Sequence, residues 1–315
     1  MASGLNGPGG AGGEVEIKLR TAALSIFSNS SLILLKVIAG TVTGSVAVLT
    51  EAIHSSIDLV ASVVAFFSVR KAGEPADETH RYGHEKVENL SAALEAILIL
   101  VGSAVIAFEA IRRLVGHGRL HTIGLGIGVV ALSAVVNVAV SAVLARNAKA
   151  TGSAALEGDA AHLRTDAMTS AAVLAGLLLV DITGAQWLDP AVALAVVAAI
   201  IVTGVRLLSR SSRVLVDEAL PGPEVTAIRA AIEQFGPRGV VGYHELRTRR
   251  AGARRYVDLH VQFEEGTSLE DAHRVAHELQ DVIAGRLEGA DVLIHLEPQD
   301  RVRPGEVLGS PPRRG

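Results

Sequence analysis

The chain has 315 residues, of which 49% are hydrophobic and only 20% are charged, and its mean hydropathy is +0.39. A soluble protein usually has about a quarter charged residues, so this composition favours a membrane protein. The net charge of −4 provides no basic field, and nucleic-acid binding is not expected. Because the chain has no cysteine, disulfides and thiolate ligands are excluded, and any metal site must use His, Asp and Glu.

The N-terminal residues 1–14 are Gly-rich, lack the apolar core of a signal peptide and are expected to be disordered. Six apolar stretches follow, each close to the roughly 20 residues that cross a bilayer as a helix. They lie at 21–43, 45–69, 88–115, 121–146, 158–182 and 187–209. With the N-terminus cytoplasmic, only Arg112, Arg113 and Arg119 fall on the outer side, so the positive-inside rule predicts six spans with both termini cytoplasmic. A transmembrane domain is therefore predicted over 15–213.

Beyond the last span, residues 214–298 have mixed polarity and predict a small cytoplasmic α+β domain. Their pattern is helix, strand, strand, helix, strand, and the two central strands flank a short Ala-Gly turn, as in a hairpin. The tail over 299–315 is rich in Pro, Arg and Gly and is expected to be disordered.

The two least apolar spans carry ionisable pairs with the same spacing. His54 precedes Asp58 by four residues in the second span, and His162 precedes Asp166 by four residues in the fifth. Four residues are a little over one helical turn, so each pair shares one helix face. Two such faces would present two imidazoles and two carboxylates, a shell suited to tetrahedral Zn²⁺, with Cd²⁺, Co²⁺ and Fe²⁺ as competitors. An ionised group at this depth costs about 2.5 kcal/mol or more, so the repeated spacing favours a metal site over interhelical hydrogen bonds.

Imidazole ligands also provide a mechanism, because metal and protons compete for the same nitrogen atoms. The pattern therefore predicts metal/proton antiport by alternating access. A metal channel or uniporter without proton coupling, an intramembrane zinc enzyme, and a cytoplasmic metal sensor on a membrane anchor are alternatives. Of the other polar residues near the spans, Glu95 could line a water-filled path or form packing hydrogen bonds, and Lys36 is expected to snorkel to the interface.

Two further groups outside the spans have metal-ligand chemistry. Asp77, His80 and His84 lie three and four residues apart in the loop after the second span, which permits a surface metal site. The nearby HEKVE string is not a metalloprotease motif, since Glu88 occupies the second His position. Five of the 11 histidines lie in the cytoplasmic domain, of which His277 has the weakest claim to a metal.

Together these motifs resemble the cation diffusion facilitator family, and in particular its bacterial zinc and iron efflux branch. The strings that carry the resemblance are HSSID, PADETHRYGHEKVE, HLRTD, LVDEALP, HELRTR, VDLHVQ and VLIHLEP, and they extend over nearly the whole chain. The resemblance implies a transporter and not an enzyme, located in the inner (plasma) membrane as a multi-pass homodimer. Its partners would be divalent metal ions, protons and the lipid bilayer.

The resemblance also implies residue roles. The transport site would be His54, Asp58, His162 and Asp166, and the His form of position 54 is associated with zinc in this family. Asp77, His80 and His84 would form the loop site. A binuclear cytoplasmic site, in a copper-chaperone-like αββαβ fold, would use His244, His260, His273, His295 and Glu297. Glu297 stands where a close relative has Asp. Lys86 and Asp217 would form a charge interlock near the dimer junction.

Overall fold

The computed structural model describes residues 10–43, 46–116, 126–185, 187–287, 290–299 and 306–307. The chain divides into two compact units, Met1–Ser212 and Arg213–Gly315. The disorder predicted for residues 1–9 and for most of the tail falls outside the described residues.

The first unit is built from six long helices, as predicted from the six apolar stretches. They are α1 (Gly10–Thr43), α2 (Val46–Ala72), α3 (Lys86–Gly116), α4 (Gly126–Thr151), α5 (Ala154–Thr183) and α6 (Leu188–Leu215). In the described part of the chain, α1, α3, α4, α5 and α6 contain stretches long and apolar enough to cross a membrane. Helix α2 has 27 residues and is therefore about 40 Å long, while Glu51, His54 and Asp58 reduce its apolar character.

Helices α1 and α5 begin well before their apolar stretches. Helix α1 begins at Gly10, so the disorder expected for residues 1–14 is wrong for the last five of them. This first part of the helix is polar and is supported by an i,i+4 ion pair between Arg20 and Glu16 at 2.5 Å. Helix α5 begins at Ala154 because the hydroxyl of Ser153 caps it by accepting a hydrogen bond from the Leu156 amide.

Small residues dominate the contacts between these helices. One buried cluster contains Ala22, Ala65, Ala148 and Ala155, and another contains Ala92 and Ala96 of α3. Small side chains let helix backbones approach closely, which is how helices associate where lipid removes most of the hydrophobic driving force.

A buried acidic side chain joins three of the helix ends. Glu88 at the start of α3 accepts a hydrogen bond from Lys18 of α1 at 3.0 Å and another from Ser153, the cap of α5, at 2.5 Å. The Glu88 carboxylate is therefore used in helix packing, which agrees with rejecting the metalloprotease motif.

The second unit has the predicted αββαβ order with one added strand. Its elements are α7 (Gly222–Glu233), β1 (Val240–Ala251), β2 (Arg254–Phe263), α8 (Leu269–Arg286), β3 (Ala290–Pro298) and β4 (Glu306–Val307). The sheet order is β3-β2-β1-β4, in which β2 and β3 are parallel and the other pairs antiparallel. The α+β fold predicted for this region is confirmed.

Strand β4 corrects the expectation of a fully disordered tail. Glu306 pairs with Tyr243 and Val307 pairs with Gly242, on the side of β1 away from β2. The physical reason is that an edge strand offers unpaired backbone N–H and C=O groups, which a passing extended segment can satisfy.

A core of large aliphatic and aromatic side chains holds the two helices on this sheet. Its fully buried members include Ile228 and Ile232 of α7, Leu259 of β2, and Leu279 and Ile283 of α8. The opposite face of the sheet is therefore free to carry polar side chains.

Candidate metal centres

The transmembrane pocket lies between α2 and α5. Asp58 Oδ1 is 3.1 Å from His162 Nε2, and Asp166 Oδ2 is 3.8 Å from the same nitrogen. One ligand atom from each of the three residues lies within 4.8 Å of the others. The side chains of Asp58 and His162 are each 9% exposed and that of Asp166 is 21% exposed. The i,i+4 spacing on α5 and the packing of α5 on α2 thus bring together three of the four predicted transport residues.

The fourth predicted residue, His54, lies on α2 one turn before Asp58. Its side chain falls outside the described residues, so its place in the shell stays a prediction.

Behind this pocket is a line of polar side chains that the sequence patterns did not reveal. Asn29 and Ser25 of α1 both contact the Ser62 hydroxyl of α2, at 2.8 and 3.0 Å. Ser62 in turn donates to Asp159 Oδ1 of α5 at 2.9 Å. Single serines in apolar helices are common, and the only available signal was Asp159 itself, three residues before His162.

Lys36 differs from its prediction. It does not extend to an interface but is 3% exposed, and its ammonium donates to the Ser55 hydroxyl at 2.6 Å. A hydroxyl on the neighbouring helix therefore replaces the water that snorkelling would have provided.

The loop group also comes together. Asp77 Oδ2 is 3.3 Å from His84 Nε2, and Asp77 Oδ1 is 3.4 Å from His80 Nδ1. The Thr79 hydroxyl and the His80 backbone N–H donate hydrogen bonds to Asp77 and hold the pKa of that carboxyl well below its usual range. An ionised carboxylate between two imidazoles, one of them buried, is a suitable set of ligands for a divalent transition metal.

The cytoplasmic group is assembled by strand register. His244 of β1 is directly opposite His260 of β2, which is directly opposite His295 of β3. Glu297 joins them, with Oε2 at 2.7 Å from His244 Nε2 and Oε1 at 2.8 Å from His260 Nδ1. Partial burial alone would raise the pKa of the Glu297 carboxyl, but the hydrogen bonds with the two imidazoles outweigh it and lower that pKa. His295 is more peripheral, 64% exposed and 3.7 Å from Glu297 Oε1.

A neighbouring residue was missed at this sheet. Glu245 has a left-handed φ of 50° in the irregular part of β1, and its Oε2 lies 3.7 Å from His260 Nε2. A β-bulge re-aims side chains in this way, and alternation patterns in the sequence do not show it.

His273 is not part of the three-ligand group of His244, His260 and Glu297 among the described residues. It lies on the exposed face of α8, where its Nε2 is 3.1 Å from Nε2 of His277, one turn later. The i,i+4 spacing of the two histidines on one helix explains this pairing.

The predicted interlock residues lie in different units. Lys86 begins α3, and Asp217 follows α6 with a left-handed φ of 58°. Within its own unit, Asp217 Oδ1 lies 3.4 Å from Arg249 Nη1. The Lys86–Asp217 interlock stays a prediction.

Comparison with known proteins covers both units. Residues 22–216 match the family model of the cation efflux transmembrane domain, and residues 220–299 match that of the cation efflux protein cytoplasmic domain. The transporter sll1263 of Synechocystis sp. is 35% identical over 277 residues, which are 88% of this chain and 89% of that protein. The cation-efflux pump FieF of Serratia proteamaculans is 34% identical over 282 residues, covering 89% and 93% of the two chains.

Solved structures match the second part of the chain. CzrB in its Zn form is 35% identical, covering 28% of this chain and 99% of the solved one, with a TM-score of 0.26. The metal-bound C-terminal domain of the CzcD transporter from Thermotoga maritima is 27% identical, with 26% and 93% coverage and a TM-score of 0.24.

Proposed function

Because the chain belongs to the cation diffusion facilitator family of metal-efflux transporters, we propose that it exports Zn²⁺ in exchange for protons. It is a multi-pass membrane protein and a transporter, not an enzyme. The proposal concerns the metal, the proton coupling and the residues that carry both.

The observation that supports this proposal most is the buried group of Asp58, His162 and Asp166. One imidazole and two carboxylates are N/O donors of the kind that zinc accepts, and His54 would complete a four-ligand shell. The chain has no cysteine, so no thiolate can take part, and an N/O shell of this kind also admits Cd²⁺, Co²⁺ and Fe²⁺ as competitors.

Proton coupling is supported by the same three side chains. His162 Nε2 lies 3.1 Å from Asp58 Oδ1, the distance of a hydrogen bond in which one proton lies between nitrogen and oxygen. A metal ion needs the lone pair of that nitrogen, so it can bind only when the proton leaves. Alternate exposure of one such pocket to the two sides of the membrane would exchange metal for protons.

The groups outside the spans are proposed as metal sites of a homodimer. Asp77, His80 and His84 would bind metal at the loop, and His244, His260, His295 and Glu297 would bind it on the sheet. The Lys86–Asp217 interlock would hold the two protomers together near the dimer junction. The protein would lie in the inner membrane of the cell, with both termini in the cytoplasm.

The test is zinc flux into sealed proteoliposomes with an imposed pH gradient and a pH dye inside. Wild type is compared with Asp58→Ala and with Glu109→Gln, which alters a carboxylate paired with Arg112 at the far end of α3. We expect zinc uptake coupled to opposite proton movement in wild type and Glu109→Gln, and neither flux in Asp58→Ala. Zinc uptake without proton movement would show that the protein is a uniporter and not an antiporter. Uptake of another metal but not of zinc would show that zinc is not the substrate.

A further inference from the structure

Two carboxyl groups lie in the transmembrane unit beside the metal pocket without belonging to it. Glu95 is on α3 and Asp159 is on α5, and both residues have 0% exposed surface. Neither forms a hydrogen bond with Asp58, His162 or Asp166 among the described residues. The proposed zinc shell therefore leaves these two acids unexplained.

The donors near these acids are serine hydroxyls, that of Ser91 near Glu95 and those of Ser25 and Ser62 near Asp159. Among the described residues, Asp159 accepts a hydrogen bond from Ser62 at Oδ1, while its Oδ2 and both oxygens of Glu95 have no hydrogen-bond partner. Glu95 lies tightly against the backbone of α5, because a Cβ added at Gly158 would be 2.4 Å from Glu95 Oε2. The Glu95 side chain is thus held next to the residue that precedes Asp159.

The charged groups that face this pair are few. Glu95 is within electrostatic range of Asp159 and His162, and Asp159 is also within range of His162. Toward α1 and α2, Asp159 faces the neutral side chains of Ser25 and Ser62. From α6, the buried residues packed in the cluster around α3 are the apolar Ile200 and Leu207.

Two ionised carboxylates cannot remain side by side in this environment without a cation. An unpaired buried charge costs several kcal/mol, and a like charge nearby adds to that cost, so at least one of the two acids is protonated when no metal is bound. A divalent cation one turn away on α5 changes this balance, since its charge favours the ionised form of both acids. The proton of the carboxyl O–H then leaves to water as the metal enters.

We propose that Glu95 and Asp159 form a proton-holding carboxyl pair that loses a proton when metal occupies the Asp58–His162–Asp166 pocket and regains it when the metal leaves. The pair would add a proton to those that the metal ligands themselves exchange. This inference rests on the proposed antiport.

The experiment measures the number of protons moved per zinc ion over many turnovers in proteoliposomes, with a zinc dye and a pH dye inside. Glu95→Gln keeps the shape of the side chain and mimics its protonated form, and Asp159→Asn does the same for the second acid. Each variant should transport zinc with about one proton fewer per zinc than wild type. The matched control, Glu109→Gln on the same helix, should leave the ratio unchanged.

An unchanged ratio in both variants would overturn the proposal and leave the acids with a packing role. Loss of zinc uptake in both variants would also overturn it, because the carboxylates would then act on the metal itself. The antiport proposal would fail independently of the carboxyl pair, if the wild-type protein moved zinc without moving protons. Elution of each variant at the same volume as wild type in detergent checks that the substitution has not unfolded the protein.

Discussion

The transmembrane and cytoplasmic units reach similar ligand chemistry on different scaffolds. In the transmembrane unit, His162 and Asp166 meet because four residues make one helical turn, and Asp58 is supplied by the neighbouring helix. In the cytoplasmic unit, His244 and His260 meet because the register of two antiparallel strands makes them opposite. Helical spacing can be found within a few residues of sequence, whereas strand register depends on the turn and on the sheet as a whole.

The two units also differ in what fills their interiors. Alanines line the helix contacts of the first unit, while Ile228, Leu259 and Leu279 fill the core of the second. The first unit therefore depends on close backbone approach and buried polar contacts, and the second on apolar area removed from water. Four experiments test this contrast.

The largest effect is expected on transport. Asp166→Ala removes a pocket carboxylate and should lower zinc uptake more than about 100-fold, since even the residues that merely orient a metal ligand cost 10–100-fold. His244→Ala, which alters the cytoplasmic group, should leave most of the uptake intact. Initial rates of uptake in proteoliposomes measure both. Equal losses would contradict the separation of transport from the cytoplasmic metals.

Stability of the cytoplasmic unit should respond to its apolar core. Leu279→Ala in α8, at 0% exposed, should lower the free energy of unfolding of this unit by about 2–5 kcal/mol. Leu269→Ala in the same helix, at 78% exposed, should change it by less than about 0.5 kcal/mol. Hydrogen exchange of α8 peptides in the full chain under increasing urea gives both values. A similar loss in the two variants would mean that α8 is not held by its buried face.

Metal affinity at the sheet should depend on the bridging carboxylate. Glu297→Gln keeps the shape but removes the charge between His244 and His260, and zinc affinity of this group should fall about 10–100-fold. Competition with a chromophoric chelator, using the full chain in detergent, measures the change. Asp271→Asn, on the exposed surface of α8, is the control. An unchanged affinity in Glu297→Gln would exclude Glu297 as a ligand.

The smallest effect concerns acidification of the loop. The lowered pKa of Asp77 favours the charged form of its carboxyl in the folded protein. The stability that this charged form contributes is lost only as the pH falls below the range of ordinary carboxyls. Between pH 8 and 5 the carboxylate therefore stays ionised, and zinc should leave because imidazole ligands take up protons. Thr79→Val removes one donor to Asp77 and should move the midpoint of zinc release by less than about half a pH unit. A larger shift would show that Asp77 titrates in this range.

The elements that could be predicted are those whose signal is local. The six apolar stretches and the His-x-x-x-Asp spacing are visible within single helices, and the αββαβ order follows from alternation and turn residues. Helix starts were less accurate, because the caps and ion pairs at Ser153 and Glu16 extend helices beyond their apolar stretches.

The parts that sequence could not provide depend on contacts between distant segments. The hydrogen bond from Ser62 to Asp159 joins residues 97 positions apart, and a serine in an apolar helix has no pattern that marks it. The pairing of β4 with β1 depends on an open sheet edge that no tail composition can reveal. His273 was placed with the sheet histidines by resemblance, whereas its helix face brings it to His277.

The close approach of Gly158 to Glu95 has an evolutionary consequence. Any side chain at position 158 would overlap the Glu95 carboxylate and lie 3.1 Å from the backbone of Ala92, so the two positions constrain each other. We expect relatives with a residue larger than Gly at position 158 to carry a shorter side chain at position 95. Substitution histories at these two positions should therefore be correlated, because a larger residue at position 158 should be tolerated only after the side chain at position 95 has become shorter.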